Sequence, residues 1–433
     1  MQRSLYSGVT GLRNHQTKLD VIGNNIANVN TVGFKSSRVR FQDVFSQTIR
    51  GATAPLGGRG GTNAAQIGMG MTIAAIDTLH TQGSPQYTGN PDDMAIQGKG
   101  YFVVTDGIGQ YYTRDGAFSR GLDGDLVNAA NGLKLLGWRA DENGVIDTGG
   151  PLTTLNIPLG DNVVSKATEN IKFTGNLDAD TAQNDAFETE ALIYDSQGRV
   201  YTIRFTFEKT NNNTWVISEN AIKVFDAEGE ELPTTGSNRI TIDIGGSNVN
   251  NSVTLRFNAD GHIDLENSTE NPYIEIADLP GGVVSPLRIN LDFSSLTQKA
   301  GKSNARMDTQ DGFPVGVLES YMVGSNGVIS GIYSNGMVKD LGQIAIATFS
   351  NPEGLLKASG NVYTISANSG EPNIGIAGED GRGTIETSAL EMSNVDLSYE
   401  FTEMITTTRA YQANSRIITT SDELLQEVVN LKR

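Results

Sequence analysis

Leu397-Ser398-Tyr399-Glu400-Phe401-Thr402-Glu403-Met404 opens the stretch of sequence on which the fold turns. From it, Leu397, Phe401, Met404, Thr408, Tyr411, Ser415, Ile418, Asp422, Leu425 and Val429 follow alternating steps of four and three, a heptad seam with polar interruptions. Ser393 or Asn394 stands where an N-cap belongs. At 1.5 Å per residue the predicted helix exceeds about 50 Å. The other end of the chain repeats the rhythm: Leu5, Val9, Leu12, Gln16, Leu19, Gly23 and Ile26 mark a second seam, which predicts a helix of about 25 residues with Gly33 as its C-cap.

Charge separates these ends from each other and from the middle. Residues 1–50 carry seven Lys and Arg against two acids, net +5, and residues 386–433 carry four against eight, net −4. Opposite signs favour pairing of the two helices. The whole chain stands at −18, so the remaining residues hold −18 − 5 + 4 = −19. Such a surplus repels phosphate, which argues against nucleic acid and anionic membrane surfaces. No run approaches the roughly 18 apolar residues that span a bilayer, and the first residues lack the apolar core of a cleavable signal peptide. The chain has no Cys, which excludes disulfides, thiolate metal sites and Cys nucleophiles.

With 433 residues, two to four domains are expected. The 50 Gly point to a turn-dense β body. Asp106-Gly107, Asp115-Gly116, Asp123-Gly124, Asn131-Gly132 and Asn143-Gly144 punctuate short apolar runs, as do Asn326-Gly327 and Asn335-Gly336. Between the two arrays, Ala191–Asp195 and Arg199–Phe207 alternate as a half-buried hairpin, and Trp215-Val216-Ile217 adds a strand. The reading is a multidomain, mainly β fold in which two nested β domains, barrel- or sandwich-like, sit between terminal helices that form a coiled-coil-like core. Its parts are an N-terminal helix at 1–33, a Gly-rich linker at 34–74 that folds on assembly, and an inner β domain from 75–149 and 306–388. An outer β domain at 150–305 is inserted into the inner one, and a C-terminal helix occupies 389–433.

Catalytic signatures are missing from the sequence. His15, His80 and His262 are scattered, no Ser is flanked by Gly two residues to either side, and Gly58-Arg59-Gly60-Gly61 lacks the Lys-Ser/Thr of a phosphate loop. Asp123-Gly124-Asp125 and Asp178-x-Asp180 lack the register of a twelve-residue calcium loop. The expectation is a non-enzyme without cofactor or metal.

The ends carry a resemblance as well as a periodicity. Ser4-Leu5-Tyr6-Ser7-Gly8-Val9-Thr10-Gly11-Leu12 followed by Asn24-Asn25-Ile26-Ala27-Asn28-Val29-Asn30-Thr31-Val32-Gly33-Phe34-Lys35 resembles the N-terminal signature of the bacterial flagellar rod and hook axial proteins. Ser393–Leu397, Glu400–Ile405 and Arg409–Asn414 are similar to that family's C-terminal signature, and Ala95–Val104 with Tyr112–Phe118 to its inner β domain. The length and the insertion at 150–305 match the plan of the family's hook members better than that of its shorter rod members.

That resemblance implies export without a cleaved signal, through the flagellar type III apparatus. It then implies polymerisation beneath a cap into a curved, hollow, extracellular tube that joins rod to filament and transmits torque. The implied partners are other copies of the chain, flagellar rod proteins, the hook cap, the hook–filament junction proteins and the export apparatus. Leu5, Val9, Leu12, Leu19, Ile26, Leu397, Phe401, Met404, Tyr411, Ile418, Leu425 and Val429 are the expected assembly interface, and Asn24, Asn25, Asn28, Gly33 and Phe34 the family signature. The Asn cluster reads either as a solvated helix face with a frayed turn or as packing or channel lining in a tube. The seams read either as glue between copies or as an intramolecular hairpin capping a β body. A distal rod or hook-associated protein, and more remotely a secreted β-rich adhesin, are the competing functions.

Overall fold

The computed structural model describes residues 2–55, 60–141, 144–160, 163–233, 240–246, 249–280 and 284–430. Asn143 of the Asn143-Gly144 turn and Gly58-Arg59 of the Gly-rich stretch lie outside the described residues. The chain divides into two compact units, one comprising Met1–Ile157, Met322–Ser330 and Asp340–Arg433, the other Pro158–Tyr321 and Gly331–Lys339.

In the first unit, helix α1 (Gln2–Ala27) and helix α2 (Leu397–Asn430) run antiparallel. Helix α1 stops well before Gly33. The Asn28 side chain folds back to donate to the Asn24 carbonyl at 2.9 Å, occupying an acceptor of the last turn, and Thr31 Oγ1 is 3.1 Å from Asn28 Oδ1. At α2 the cap is Asp396, whose Oδ1 accepts from the backbone N–H of Ser398 at 2.8 Å. Asn394, an expected cap, instead bridges two other segments, accepting from the Ser36 N–H and donating to the Leu79 carbonyl, each at 2.8 Å.

The segment expected to be a linker forms a long hairpin. Strand Ser37–Asp43 pairs antiparallel with Met71–Thr78, and Ser46–Arg50 continues the ribbon against Ala65–Gly68. Its base rests on α1, where Phe41 meets His15 edge to face and Asn14 donates to the Met71 carbonyl at 2.6 Å. Among the described residues its outer half has no second layer: Val44, Phe45, Ile49 and Ile67 are all exposed. Glycine content misled the reading here, because Ser46-Gln47-Thr48-Ile49 and Ala65-Gln66-Ile67 alternate only weakly.

Beyond the hairpin the inner β layers fold around Tyr101, Val103, Tyr112, Leu136, Trp138, Ala345, Ala347 and Tyr363. Tyr101–Thr105 pairs with Gln110–Thr113, Lys134–Arg139 and Ile346–Thr348, which brings residues from both flanks of the insertion into one sheet. Pro85–Tyr87 pairs with Ala389–Glu391 and Met94–Gln97 with Thr384–Thr387, so the residues just before α2 belong to these layers. Gly116 sits where a Cβ would fall 1.5 Å from the Met94 carbonyl oxygen, a close approach only glycine allows.

The second unit is a sandwich. A six-stranded sheet including Asn170–Asp178 and Leu287–Lys299 encloses a core with a five-stranded sheet built on Ala186–Tyr194 and Val200–Asn211. Val200–Asn211 alternates buried and half-buried almost throughout, as its sequence alternation requires. Phe173, Phe205, Phe207 and Phe293 meet in that core. The unit begins at Pro158, and its main stretch runs to Tyr321 before Gly331–Lys339 returns to it, so both bounds lie later than composition indicated. Leu155 and Ile157 are buried in the first unit, and Arg306–Gln310 pairs with Asn170–Asp178 in the second.

Candidate assembly interface

On α1 the strip along which the two helices touch is displaced by one residue from the apolar seam of the sequence, whereas on α2 it keeps Met404, Tyr411, Ile418 and Leu425 of the seam and replaces Phe401, Thr408, Ser415 and Asp422 by the residue before each. On α1 the shielded positions are Gly8, Gly11, His15, Lys18, Ile22 and Asn25; on α2 they are Glu400, Met404, Thr407, Asn414, Ile418, Ser421 and Leu425, with the 37 % exposed Tyr411 in register between Thr407 and Asn414. Both sets keep steps of three and four. The reason is close approach. A Cβ on Gly11 would stand 2.7 Å from Asn414 Nδ2, and one on Gly8 would stand 3.3 Å from Ile418 Cγ1. Small residues at the crossing let the backbones come together, and larger neighbours are turned to the flanks. Glycine inside a heptad reads as a defect in sequence, yet here it is the contact surface.

The strip ends in a polar knot. Asn25 Nδ2 donates to Glu400 Oε1 at 2.9 Å and to the Ser37 carbonyl at 2.8 Å, while Asn25 Oδ1 accepts from the Ser37 N–H at 3.0 Å. One turn away Lys18 pairs with Glu403. Asn25 is buried, so at this position the structure favours packing over a solvated face. Burial pushes the Glu400 carboxyl above its ordinary value, against the opposing pull of the Asn25 hydrogen bond. A raised carboxyl pKa means the folded state binds the proton more readily. Its contribution is therefore present at low pH and is lost as pH climbs from the ordinary carboxylate range through the raised value. Glu400→Gln, which keeps an acceptor for Asn25, is expected to flatten that dependence and to make the ends more stable at pH 7, as read by thermal melts from pH 4 to 8.

The expected interface residues fall into two groups. Met404, Ile418 and Leu425 lie in the intramolecular strip, with Leu5, Leu12, Leu19 and Ile26 half-buried along its flank. Val9, Leu397, Phe401, Tyr411 and Val429 remain exposed, Phe401 by 50 % and Val429 by 66 %. Residues that the seam did not include join them: Tyr6 on α1, and Ile405, Ile417, Leu424 and Val428 on α2. At about 100° per residue, Leu397, Phe401 and Ile405 lie to one side of the strip, and Ile417, Leu424 and Val428 to the other. Helix α2 thus carries uncovered apolar surface on both sides of its partner helix.

The signature residues 24–35 join the helices to the β layers. Gly33 has φ +66°, and a Cβ there would stand 2.7 Å from the Asp115 backbone nitrogen. Phe34 is buried beneath the Lys357 ammonium, 4.1 Å from its ring centroid, and Asn361 donates to the Val32 carbonyl at 3.0 Å. Asn24 faces solvent at the end of α1, contributing its carbonyl to the Asn28 bond.

Among the described residues no cluster of three or more His, Asp or Glu could hold a metal ion, and no helix is long and apolar enough to cross a membrane. Both acidic turns singled out in the sequence have a lysine beside them. Lys134 Nζ is 2.6 Å from Asp125 Oδ2, and the Lys209 ammonium donates to the carbonyls of Ala179 and Thr181, next to Asp178.

Four family profiles match along the chain. They are "Flagella basal body rod protein" at 5–35, "Flagellar hook protein FlgE/F/G D1 domain" at 95–176, "Flagellar basal body protein FlaE D2 domain" at 162–313, and "Flagellar basal body rod FlgEFG protein C-terminal" at 386–431. The flagellar hook protein FlgE of Borreliella burgdorferi is 42 % identical over 466 residues, covering 100 % of both chains. The basal-body rod protein FlgG of Bacillus subtilis is 32 % identical, also over 100 % of both. The crystal structure of the Helicobacter pylori hook protein FlgE2 shares the fold, with a TM-score of 0.51 at 17 % identity over 71 % of this chain and 100 % of that one. Full-length identity is higher to the Borreliella hook protein than to the Bacillus rod protein, and the profiles begin and end on the two helices that carry exposed apolar flanks. The chain belongs to the bacterial flagellar hook protein family and is a structural, polymerising subunit of the flagellar axis.

Proposed function

We propose that this subunit polymerises through the flanks of its terminal helices into a curved, hollow tube that carries torque from rod to filament. The observation that carries the reading is the apolar surface left open on α2, Leu397, Phe401 and Ile405 on one side and Ile417, Leu424 and Val428 on the other. A helix flanked on both sides by neighbouring copies has use for both strips. The same contact repeated with a fixed rotation gives an open helical filament. In this reading the helices form the tube's cohesive core, the hairpin at 37–78 orders fully on assembly, and the inner and outer β layers build outward. The outer unit's polar surface makes wet contacts that slide as the tube bends, whereas close-packed apolar contacts resist small displacements.

The chain reaches the cell exterior through the flagellar export apparatus without losing a signal peptide, and it meets rod proteins at one end of the tube and the cap and junction proteins at the other. It performs no catalysis. Phe401→Asp tests the core of this reading, because Phe401 is half exposed in the single chain and its replacement leaves the intramolecular strip intact. The variant is expected to melt like the parent, to accumulate as secreted monomer, and to form no tubes by electron microscopy. Normal curved tubes from Phe401→Asp would remove these flanks from the interface.

A further inference from the structure

Where the two ends of the chain return to the inner β layers, three charged side chains are buried together. Lys35 follows α1, Glu391 precedes α2 and Arg114 comes from the β layers; all three side chains are at least 95 % buried. Glu391 Oε1 accepts from Lys35 Nζ at 2.6 Å and from the Gly83 N–H at 2.8 Å. Its Oε2 accepts from Arg114 Nη1 at 3.0 Å, and its backbone carbonyl accepts from the Gly33 N–H at 2.8 Å. One glutamate therefore takes four donors from three separate segments, Gly33–Lys35, Gly83 and Arg114. Further donors of the cluster reach backbone: Lys35 the Thr81 carbonyl at 2.8 Å, and Arg114 the carbonyls of Ile96 and Gly98 at 3.1 and 2.6 Å, while Arg114 Nε is buried without a partner. Burial pulls the Lys35 ammonium below its ordinary value, and the Glu391 charge pulls it back up.

We propose that this cluster is a clamp that docks both chain ends onto the inner β layers together, with Glu391 as the group that closes it, so that neither helix is anchored unless the other end is in place. An apolar trio of similar volume would fill the same space, often with equal or greater stability. What charges add is mutual dependence: two buried cations without the carboxylate repel each other in a poorly screened site, and the carboxylate alone is as costly. Glu391, Lys35 and Arg114 between them hold the Gly33–Lys35, Thr81–Gly83 and Ile96–Gly98 segments together, which fits a device of the fold.

The dependence of the N-terminal end on a C-terminal residue is measurable in the soluble full-length chain. Acylation of lysines by an amine-reactive ester, read by peptide mass spectrometry, is expected to be at least a hundredfold slower at Lys35 than at the exposed Lys223. Glu391→Gln is expected to speed labelling of Lys35 at least tenfold while leaving Lys223 unchanged. Glu391→Asp, which keeps the charge but shortens its reach, provides the same reading if the Gln variant does not fold; near-UV circular dichroism reports the state of the β layers in each. Lys35 labelled as fast as Lys223 in the parent chain, or as slowly in the folded Glu391 variant as in the parent, would overturn the clamp.

Discussion

Trimmed to residues 33–394, the chain is expected to remain a soluble, cooperatively melting monomer and to lose polymerisation entirely. The cut points follow from the structure. Ala389–Glu391 is a strand against Pro85–Tyr87, Gly33 donates to the Glu391 carbonyl, and Asn394 ties Ser36 to Leu79, so shorter versions would tear the inner layers. Within these limits both units keep their own cores, around Tyr101 and Trp138 in one and Phe173 and Trp215 in the other. What is lost is α1, α2 and every apolar residue on their flanks. Sedimentation and electron microscopy of the trimmed protein check the result; tubes of normal diameter would show that the β layers alone hold the polymer.

Gly33→Val should be the most damaging single substitution at the junction, costing about 3 kcal/mol or more in the stability of the first unit. A left-handed backbone conformation costs a non-glycine residue roughly 1–2 kcal/mol, and overpacking adds typically 1–3 kcal/mol. Here the obstructing atoms are backbone, the Asp115 nitrogen at 2.7 Å and the Arg114 carbonyl carbon at 2.8 Å, which cannot swing aside as a side chain would. Because Arg114 also holds Glu391, the displacement reaches the clamp. Denaturant unfolding of the variant should show the lowered midpoint, and cells carrying it should not swim. A midpoint within about 0.5 kcal/mol of the parent, the usual range for an innocuous surface change, would refute the account.

Much of the fold is legible in the residues themselves. Both helices declare themselves by seven-residue spacing, and Val200–Asn211 by two-residue alternation, since each periodicity follows from backbone geometry alone. Partner choice is harder. The strip between α1 and α2 runs through Gly8, Gly11, Asn414 and Ser421, residues that a search for apolar seams passes over, because close approach is rewarded by small size and hydrophobicity does not record it. Glu391 and Lys35 are more than 350 positions apart, and no local pattern signals that either is buried. The caps show the same limit on a smaller scale: Ser393, Asn394 and Asp396 are all chemically fit to begin α2, and only the tertiary contacts of Asn394 leave the role to Asp396.

The separation of Lys35 and Glu391 also bears on the order in which the molecule folds. Bringing two points 356 positions apart together in a free coil costs about 5 kcal/mol of loop-closure entropy, before any side chain is ordered. Hairpins such as Tyr101–Thr113 and Ala186–Asn211 close loops of a few residues and pay far less. Once they and their sheets have formed, the intervening chain is already condensed, and the two ends need to cross only the width of a domain. The terminal helices are thus the last elements that can be fixed, and a chain missing its final forty residues leaves the strip of α1 from Gly8 to Asn25 without the helix that covers it.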